Sequence, residues 1–214
     1  MAKHPLWSDE YWLLLMQVYL SKPVGLKPIY SRQMVDLALY LHIQPQVLHR
    51  QMFRLRQLDT PRIQQLWDAY SRHPKRLQRE VQLLRQMNGF GQAEAFYQGV
   101  EVNESWELDF KPIEGCCFTP VMLILVLDLY FRLTPLTMVP DTPEIGELAQ
   151  LMRVPAQEIC HAMEVFQGLD PYLSRTADTA DSLAEPCHAV WQRFGNENPE
   201  QLEAFAAQVK DYFR

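Results

Sequence analysis

The sequence predicts an all-α protein built from two related helical modules, and two observations lead to this prediction. Apolar residues recur every three or four positions through most of the chain, which is the period of a helix with one buried face. The chain also repeats itself: shifted by 111 residues, Ser31–Asp59 aligns with Thr142–Asp170. Because internal repetition indicates duplicated structural units, we expect both halves to follow one plan.

The alignment of the two segments rests on identical residues. The identical pairs are Leu37 with Leu148, Ala38 with Ala149, Gln46 with Gln157, Met52 with Met163, Leu58 with Leu169 and Asp59 with Asp170. Further along the chain the offset becomes 124 and then 125, where Trp67 aligns with Trp191 and Pro74 with Pro199. A change of this size indicates an insertion in one loop.

The first module, residues 1–88, is predicted to contain five helices. The first ends near Leu20 and is apolar nearly all round, which marks it as a central buried helix. The other four are expected at about 31–42, 46–57, 61–70 and 74–86. The second module, residues 118–214, is expected to repeat the plan at 119–133, 143–152, 155–167, 182–194 and 199–213.

Residues 89–117 are predicted to be a linker between the modules. Val100 and Val102, and then Trp106, Leu108 and Phe110, alternate with polar residues on either side of a polar turn. Alternation of this kind is typical of a short β-hairpin, and we predict one here.

The composition excludes several classes of protein. The apolar fraction of 48% is typical of a globular chain that buries a core. The longest apolar run, Val121–Leu127, is far shorter than the roughly 18 to 20 residues of a membrane span, and no hydrophobic stretch near the N-terminus resembles a signal peptide. The four cysteines lack the spacing of a disulfide framework. The sequence predicts a soluble cytoplasmic protein that does not contact a membrane.

The net charge of -6 conceals an opposition between the two halves. Residues 1–88 carry 13 Lys and Arg against 6 Asp and Glu, whereas residues 89–214 carry 7 against 20. Such asymmetry indicates a nucleic acid or another charged partner on one side of the molecule.

The segment 31–57 has the outline of a helix-turn-helix. Two short helices are joined by a turn of about three residues, with the small Ala38 where the helices would cross closely. In DNA-binding units of this kind the second helix lies in the major groove. Arginine matches guanine edges and phosphates, and glutamine pairs with adenine. The candidate contact residues are Gln46, His49, Arg50, Arg54 and Arg56.

The fifth helix of the first module adds Arg72, Lys75, Arg76 and Arg79. Three of these arginines follow helical spacing and would form a stripe that suits phosphate contacts, which position a duplex without specifying its sequence. An ordinary solvated helix face explains the same residues, and the sequence leaves both interpretations open.

The equivalent helix of the second module does not suit DNA. It carries Gln157, Glu158, His161 and Glu164 and no arginine, so it would repel phosphates. We expect this copy to be structural, regulatory or protein-binding.

Both modules carry a recurring set of residues along their helices. In the second module these are Leu129-Tyr130, Pro143, Ile145, Leu148-Ala149, Leu169-Asp170-Pro171, Trp191 and Phe194. The first module keeps fewer of them, namely Trp7-Ser8, Val18-Tyr19, Leu37-Ala38, Leu58-Asp59, Trp67 and Tyr70. With these residues both modules resemble the small helical domain found at the N-terminus of HNH-endonuclease-type proteins in bacteria. The resemblance implies a helical accessory module that helps to engage DNA, in duplicate, without the catalytic HNH domain.

Catalytic and metal sites are not expected. The cysteines Cys116, Cys117, Cys160 and Cys187 do not follow the spacing of structural zinc sites, and buried reduced thiols explain them better. No glycine-rich phosphate loop follows a strand, and the acidic residues of the linker are scattered. The sequence therefore predicts no enzyme, no cofactor and no metal.

Two functions follow from these observations. The first is a non-catalytic DNA-binding accessory or regulatory protein, in which the basic first module contacts double-stranded DNA. The alternative is a protein-interaction or scaffold module, in which the acidic second module is the docking surface. The low isoelectric point of about 5.5 favours the alternative, and the helix-turn-helix outline favours DNA.

Overall fold

The computed structural model describes residues 7–87, 90, 105–173 and 181–214. These residues form α-helices and short 3-10 helices, and no β-strand occurs among them. The all-α prediction is therefore confirmed. The chain divides into two compact units, residues 1–104 and 105–214. None of the described helices has the length and apolar character needed to span a lipid bilayer.

Among the described residues the first unit contains five helices, and three of them pack around the apolar first helix. The elements are α1 (Tyr11–Leu20), α2 (Arg32–Leu41), α3 (Pro45–Gln57), α4 (Pro61–Tyr70) and α5 (Pro74–Gln86). α1 packs against α2, α3 and α5, and α4 packs against α5. Because α1 is apolar on nearly every side, a helix on each side is needed to remove it from water.

A left-handed residue ends α2 and sets the angle at which α3 leaves. His42 has a φ of +52°, and the next residue, Ile43, donates its N–H to the carbonyl of Ala38 at 3.1 Å. The Ile43 side chain is fully buried, as expected of the apolar residue that closes this type of helix end. Pro45 then begins α3, where a missing N–H costs nothing.

The second unit surrounds an even more apolar central helix. Its elements are α6 (Ser105–Leu108), α7 (Pro120–Tyr130), α8 (Pro143–Met152), α9 (Ala156–Leu169), α10 (Ala184–Phe194) and α11 (Pro199–Val209), with 3-10 helices at Pro135–Thr137 and Lys210–Tyr212. α7 packs against α8, α9, α10 and α11, and nine of its eleven residues are buried. Thr119 caps it by accepting the N–H of Met122 at 3.4 Å.

The helix pairs α2–α3 and α8–α9 have matching geometry. α2 and α8 each have ten residues and begin 111 residues apart. Arg153 has a φ of +58°, like His42, and Val154 donates its N–H to the carbonyl of Ala149 at 3.1 Å, like Ile43 to Ala38. The helix order and these two turns agree between the units. The duplication itself stays a prediction.

The predicted β-hairpin is wrong for its second arm. Residues 105–108 form the short helix α6, and Phe110 is buried whereas Leu108 is 49% exposed. Trp106 and Phe110 are four residues apart, so the apparent alternation was also compatible with a helical turn. The residues expected to form the first arm, Val100 and Val102, lie outside the described residues.

Residues 105–117, predicted as part of the linker, belong to the second unit and pack against its helices. The rings of Phe110 and Tyr212 lie 5.0 Å apart, and Val121 donates its N–H to the carbonyl of Asp109 at 2.9 Å. The Asp109 side chain is buried and accepts two hydrogen bonds from Arg193 of α10, at 2.6 and 2.9 Å. The bond to Asp109 raises the pKa of Arg193 above its usual value. This ion pair fastens the segment to the helices.

Replacing Arg193 with alanine is expected to lower the free energy of unfolding of the second unit by about 1–3 kcal/mol. The variant leaves the Asp109 carboxylate buried without its two donors. The loss is smaller than for a fully buried ion pair because 39% of the Arg193 side chain is exposed. Urea denaturation followed by circular dichroism measures the change.

The matched control is Arg214→Ala. Arg214 pairs with Asp211 at 3.0 Å, but 67% of its side chain is exposed, so its removal is expected to change the stability little. Equal losses in the two variants would contradict a special role for the Asp109–Arg193 pair.

Candidate nucleic-acid interface

The sequence of α3 separates a buried face from an exposed one. Leu48, Met52 and Leu55 are fully buried against the unit, because their spacing of three and four places them on one side of the helix. On the opposite side the exposed residues are Gln46, Arg50, Phe53, Arg56 and Gln57. Three of the predicted DNA contacts therefore lie together on the open face of α3.

Gln46 and His49 are held at the start of this face. The Gln46 amide donates to the hydroxyl of Tyr30 at 2.5 Å. The half-buried His49 ring meets the ring of Phe53 edge-on, with 5.1 Å between centroids. Burial lowers the pKa of His49, while a hydrogen bond with the backbone of Lys27 raises it in part. His49 thus lies partly buried against Phe53.

Arg54 differs from its neighbours because its guanidinium is engaged within the unit. Its Nε lies 2.7 Å from a carboxylate oxygen of Asp59, and its Nη1 donates to the Gln51 side chain at 3.1 Å. It also lies over the Trp12 ring, 5.8 Å from the centroid. Leu58, with a φ of +53°, turns the chain so that Asp59 returns alongside Arg54. These contacts occupy Arg54 at the end of α3.

The basic residues of α5 and of the turn before it are all exposed. Leu77, Val81 and Leu84 bury the inner face of α5, which leaves Lys75, Arg76 and Arg79 outside. Arg72, His73, Lys75 and Arg76 line a depression of about 510 Å³ around Pro74. The Arg76 guanidinium lies 5.1 Å from the centroid of the Tyr70 ring, which supports it through a cation–π contact.

These exposed cations have no ion-pair partner among the residues that the structure describes. In the described part of the chain, no carboxylate lies within 4.0 Å of Arg50, Arg56, Arg72, Lys75, Arg76 or Arg79. α3 and α5 both pack against α1, so one central helix carries both basic elements. Exposed cations without a carboxylate partner attract polyanions.

Phe53 is the residue of this face that the sequence analysis missed. It is 42% exposed in the middle of α3, between Arg50 and Arg56. The signal was present in the helical period, because position 53 lies opposite Leu48, Met52 and Leu55.

The corresponding face of α9 is acidic. Gln157, Glu158, His161 and Glu164 are exposed, and His161 lies 2.9 Å from a carboxylate oxygen of Asp181. The exposed surface of α9 therefore carries two glutamates at positions where α3 carries Val47 and Phe53, and a histidine where α3 carries Arg50.

The cysteines are free thiols with different degrees of burial. Cys117 is exposed, Cys116 is half-buried, and Cys160 and Cys187 are buried. Burial raises the pKa of Cys187 to about 12, with smaller effects of Asp181 and Cys116. Burial also raises the pKa of Cys117 and of Cys160, and nearby glutamates add to both shifts. Among the described residues, no three His, Cys, Asp or Glu side chains are grouped so that they could hold a metal ion.

Comparisons with known protein families, with characterised proteins and with solved structures find no significant match.

Arg54→Gln is expected to destabilise the first unit, whereas Arg56→Gln is not. Arg54 loses an ion pair and a hydrogen bond, whereas Arg56 is exposed and has no carboxylate partner in the described part of the chain. We expect the melting temperature to fall by about 2–5 °C for Arg54→Gln, as measured by circular dichroism. Equal melting temperatures of the two variants would show that the Arg54–Asp59 contact does not stabilise the fold.

Alkylation of the native protein is expected to follow the exposure of the thiols. With N-ethylmaleimide at pH 8, Cys117 should be labelled first and Cys187 should be labelled only after unfolding. With a pKa of about 12, only about one Cys187 thiol in ten thousand is ionised at pH 8. Peptide mass spectrometry assigns the labels, and equal labelling rates for Cys187 and Cys117 would contradict the buried position.

Proposed function

We propose that this protein is a non-catalytic DNA-binding accessory or regulatory protein. The first unit would contact double-stranded DNA through the exposed face of α3 and the basic residues of α5 and of the turn before it. The observation that carries the proposal is the set of exposed cations on α3 and α5 that lack a carboxylate partner among the described residues. Cations in such a set release counterions from DNA when they replace them at phosphates.

The α2–α3 pair supports a role in the major groove. A turn of three residues separates the helices, and the first outward residues of α3 are Gln46 and Arg50. Residues near the start of the second helix contact base edges in helix-turn-helix proteins. Arg50 and Arg56 suit guanine, Gln46 suits adenine, and the exposed Phe53 suits the methyl group of thymine. Arg54, which pairs with Asp59, would shape the helix end rather than contact bases.

The basic depression at the start of α5 supports a second kind of contact. Arg72, Lys75 and Arg76 surround it, and Arg79 lies one turn further along α5. Exposed cations without base-edge geometry neutralise phosphates, and such contacts set the register of a protein on its duplex.

The resemblance to the helical domain of HNH-endonuclease-type proteins supports the same proposal. The matching α2–α3 and α8–α9 turns agree with two copies of such a domain. In this proposal the first copy keeps the DNA-binding surface, and the second has exchanged it for an acidic one.

A protein partner for the second unit is the second candidate function. Its exposed acidic residues include Asp141, Glu144, Glu147, Glu158 and Glu164, and none of these lies within 4.0 Å of a cation in the described residues. An acidic surface of this kind would bind a basic protein and repel DNA.

Charge reversal on α3 tests the DNA proposal. The measurement is fluorescence anisotropy of a labelled random duplex with the full chain at about 50 and 200 mM salt. Arg50→Glu with Arg56→Glu is expected to weaken binding by at least about 100-fold, because two attractive contacts become repulsive. The control, Lys22→Glu with Arg62→Glu, changes the charge of the unit equally at exposed positions outside α3.

The outcomes separate three situations. A large loss for the α3 variant and a small loss for the control support the proposal. Equal losses would show that diffuse charge binds the duplex, and absence of binding at about 50 mM salt would refute the DNA function. Lys75→Gln with Arg79→Gln should reduce the slope of log affinity against log salt by about 2 without changing sequence preference.

A further inference from the structure

We propose that two copies of this chain associate through the exposed face of α3 in one copy and the exposed face of α9 in the other. This inference concerns a protein surface and does not depend on the proposed DNA function. Two observations carry it: the matched spacing of opposite charges on the two helices, and the exposure of every residue involved.

The two faces carry opposite charges at the same spacing. On α3 the exposed residues Arg50, Phe53 and Arg56 follow one another at intervals of three, and on α9 Glu158, His161 and Glu164 do the same. Steps of three residues place the three side chains of each helix along one ridge. Each helix therefore presents a ring side chain between two charges of the same sign, which is positive on α3 and negative on α9.

An antiparallel pairing of the two helices matches these positions. With Phe53 opposite His161, Arg50 lies opposite Glu164 and Arg56 opposite Glu158. The same register also places Gln57 opposite Gln157, both of which are exposed. The antiparallel direction sets the helix dipoles head to tail, whereas a shift by one turn separates both charge pairs.

The contact between Phe53 and His161, at the centre of the pairing, removes apolar surface from water. Phe53 is 42% exposed, and its own neighbour His49 already meets it edge-on at 5.1 Å. Across the contact, His161 is held 2.9 Å from Asp181, which orients its imidazole and adds negative charge beside the face. An aromatic side chain framed by arginines is typical of the centre of an interface.

A second copy of the chain supplies the matching face. Each chain has one basic α3 face and one acidic α9 face, so the α3 face of one copy can bind the α9 face of another. Residues 105–214 carry 7 Lys and Arg against 17 Asp and Glu, so the net charges of the partner surfaces also attract. The expected product is a weak dimer that salt dissociates, because exposed charges are screened.

Sedimentation velocity of the full chain tests the association. At about 50 mM salt the wild-type protein is expected to sediment increasingly as a dimer between about 5 and 500 µM, and as a monomer at about 500 mM salt. Arg50→Glu with Arg56→Glu gives two acidic faces, and Glu158→Arg with Glu164→Arg gives two basic faces. Each double variant alone is expected to associate at least about tenfold more weakly than the wild type.

Sedimentation of a mixture of the two double variants is the decisive experiment. One supplies an acidic α3 face and the other a basic α9 face, while their unchanged faces also match, so the mixture is expected to form a heterodimer as strong as the wild-type dimer. Glu197→Arg with Glu203→Arg changes exposed charges of the second unit elsewhere and is expected to leave the dimer unchanged. Circular dichroism confirms that all variants fold.

Three results would overturn the inference. They are a wild-type protein that is monomeric at every concentration, a mixture of the double variants that does not associate, and a dimer that the Glu197 and Glu203 changes disrupt equally. Duplex binding by the wild-type protein is a separate readout. If the wild type binds DNA but fails to dimerise, only the dimer is refuted, and a dimer without duplex binding refutes only the DNA function.

Discussion

The burial of one apolar helix in each unit is the constraint on which the fold depends. α7 has nine buried residues out of eleven, and α1 is apolar on nearly every side, so neither could exist alone in water. Each is removed from solvent by three or four neighbouring helices. Each outer helix therefore buries one face within its unit and exposes the other face to solvent. The one acid buried within α7, Asp128, is held by Arg132 at 2.6 Å.

The buried faces of the outer helices determine the fold, whereas their outward residues determine the chemistry of the surface. The turns after α2 and α8 use the same left-handed residue and the same capping hydrogen bond, because both must direct the next helix across the central one. Nothing in that geometry restricts the outward residues. Arg50 on α3 and His161 on α9 lie at equivalent outward positions and carry different chemistry. One frame can thus present a basic surface in one unit and an acidic surface in the other.

Most of the helices could be predicted because helix formation here follows local patterns. The apolar period, the prolines that begin α3 and α5 and the short polar turns are all present within a few residues of each helix. The hairpin prediction failed because Trp106, Leu108 and Phe110 fit a two-residue period and a helical turn alike. Only packing decides between the two: Phe110 contacts Tyr212, which lies about one hundred residues away in the chain.

The sequence by itself determined the helical class, the positions of the outer faces and the opposition of charge between the halves, since each follows from residue type and period. Only the folded structure decided which charges find partners among the described residues, through a local turn in one case and through packing between distant segments in another. Arg54 and Arg56 are indistinguishable in the sequence, yet the left-handed turn at Leu58 returns Asp59 to Arg54 and leaves Arg56 in solvent. Likewise, Asp109 and Arg193 are 84 residues apart and meet only because α10 packs beside the segment before α7. Contacts at such separations depend on the packing of whole helices, which no local pattern encodes.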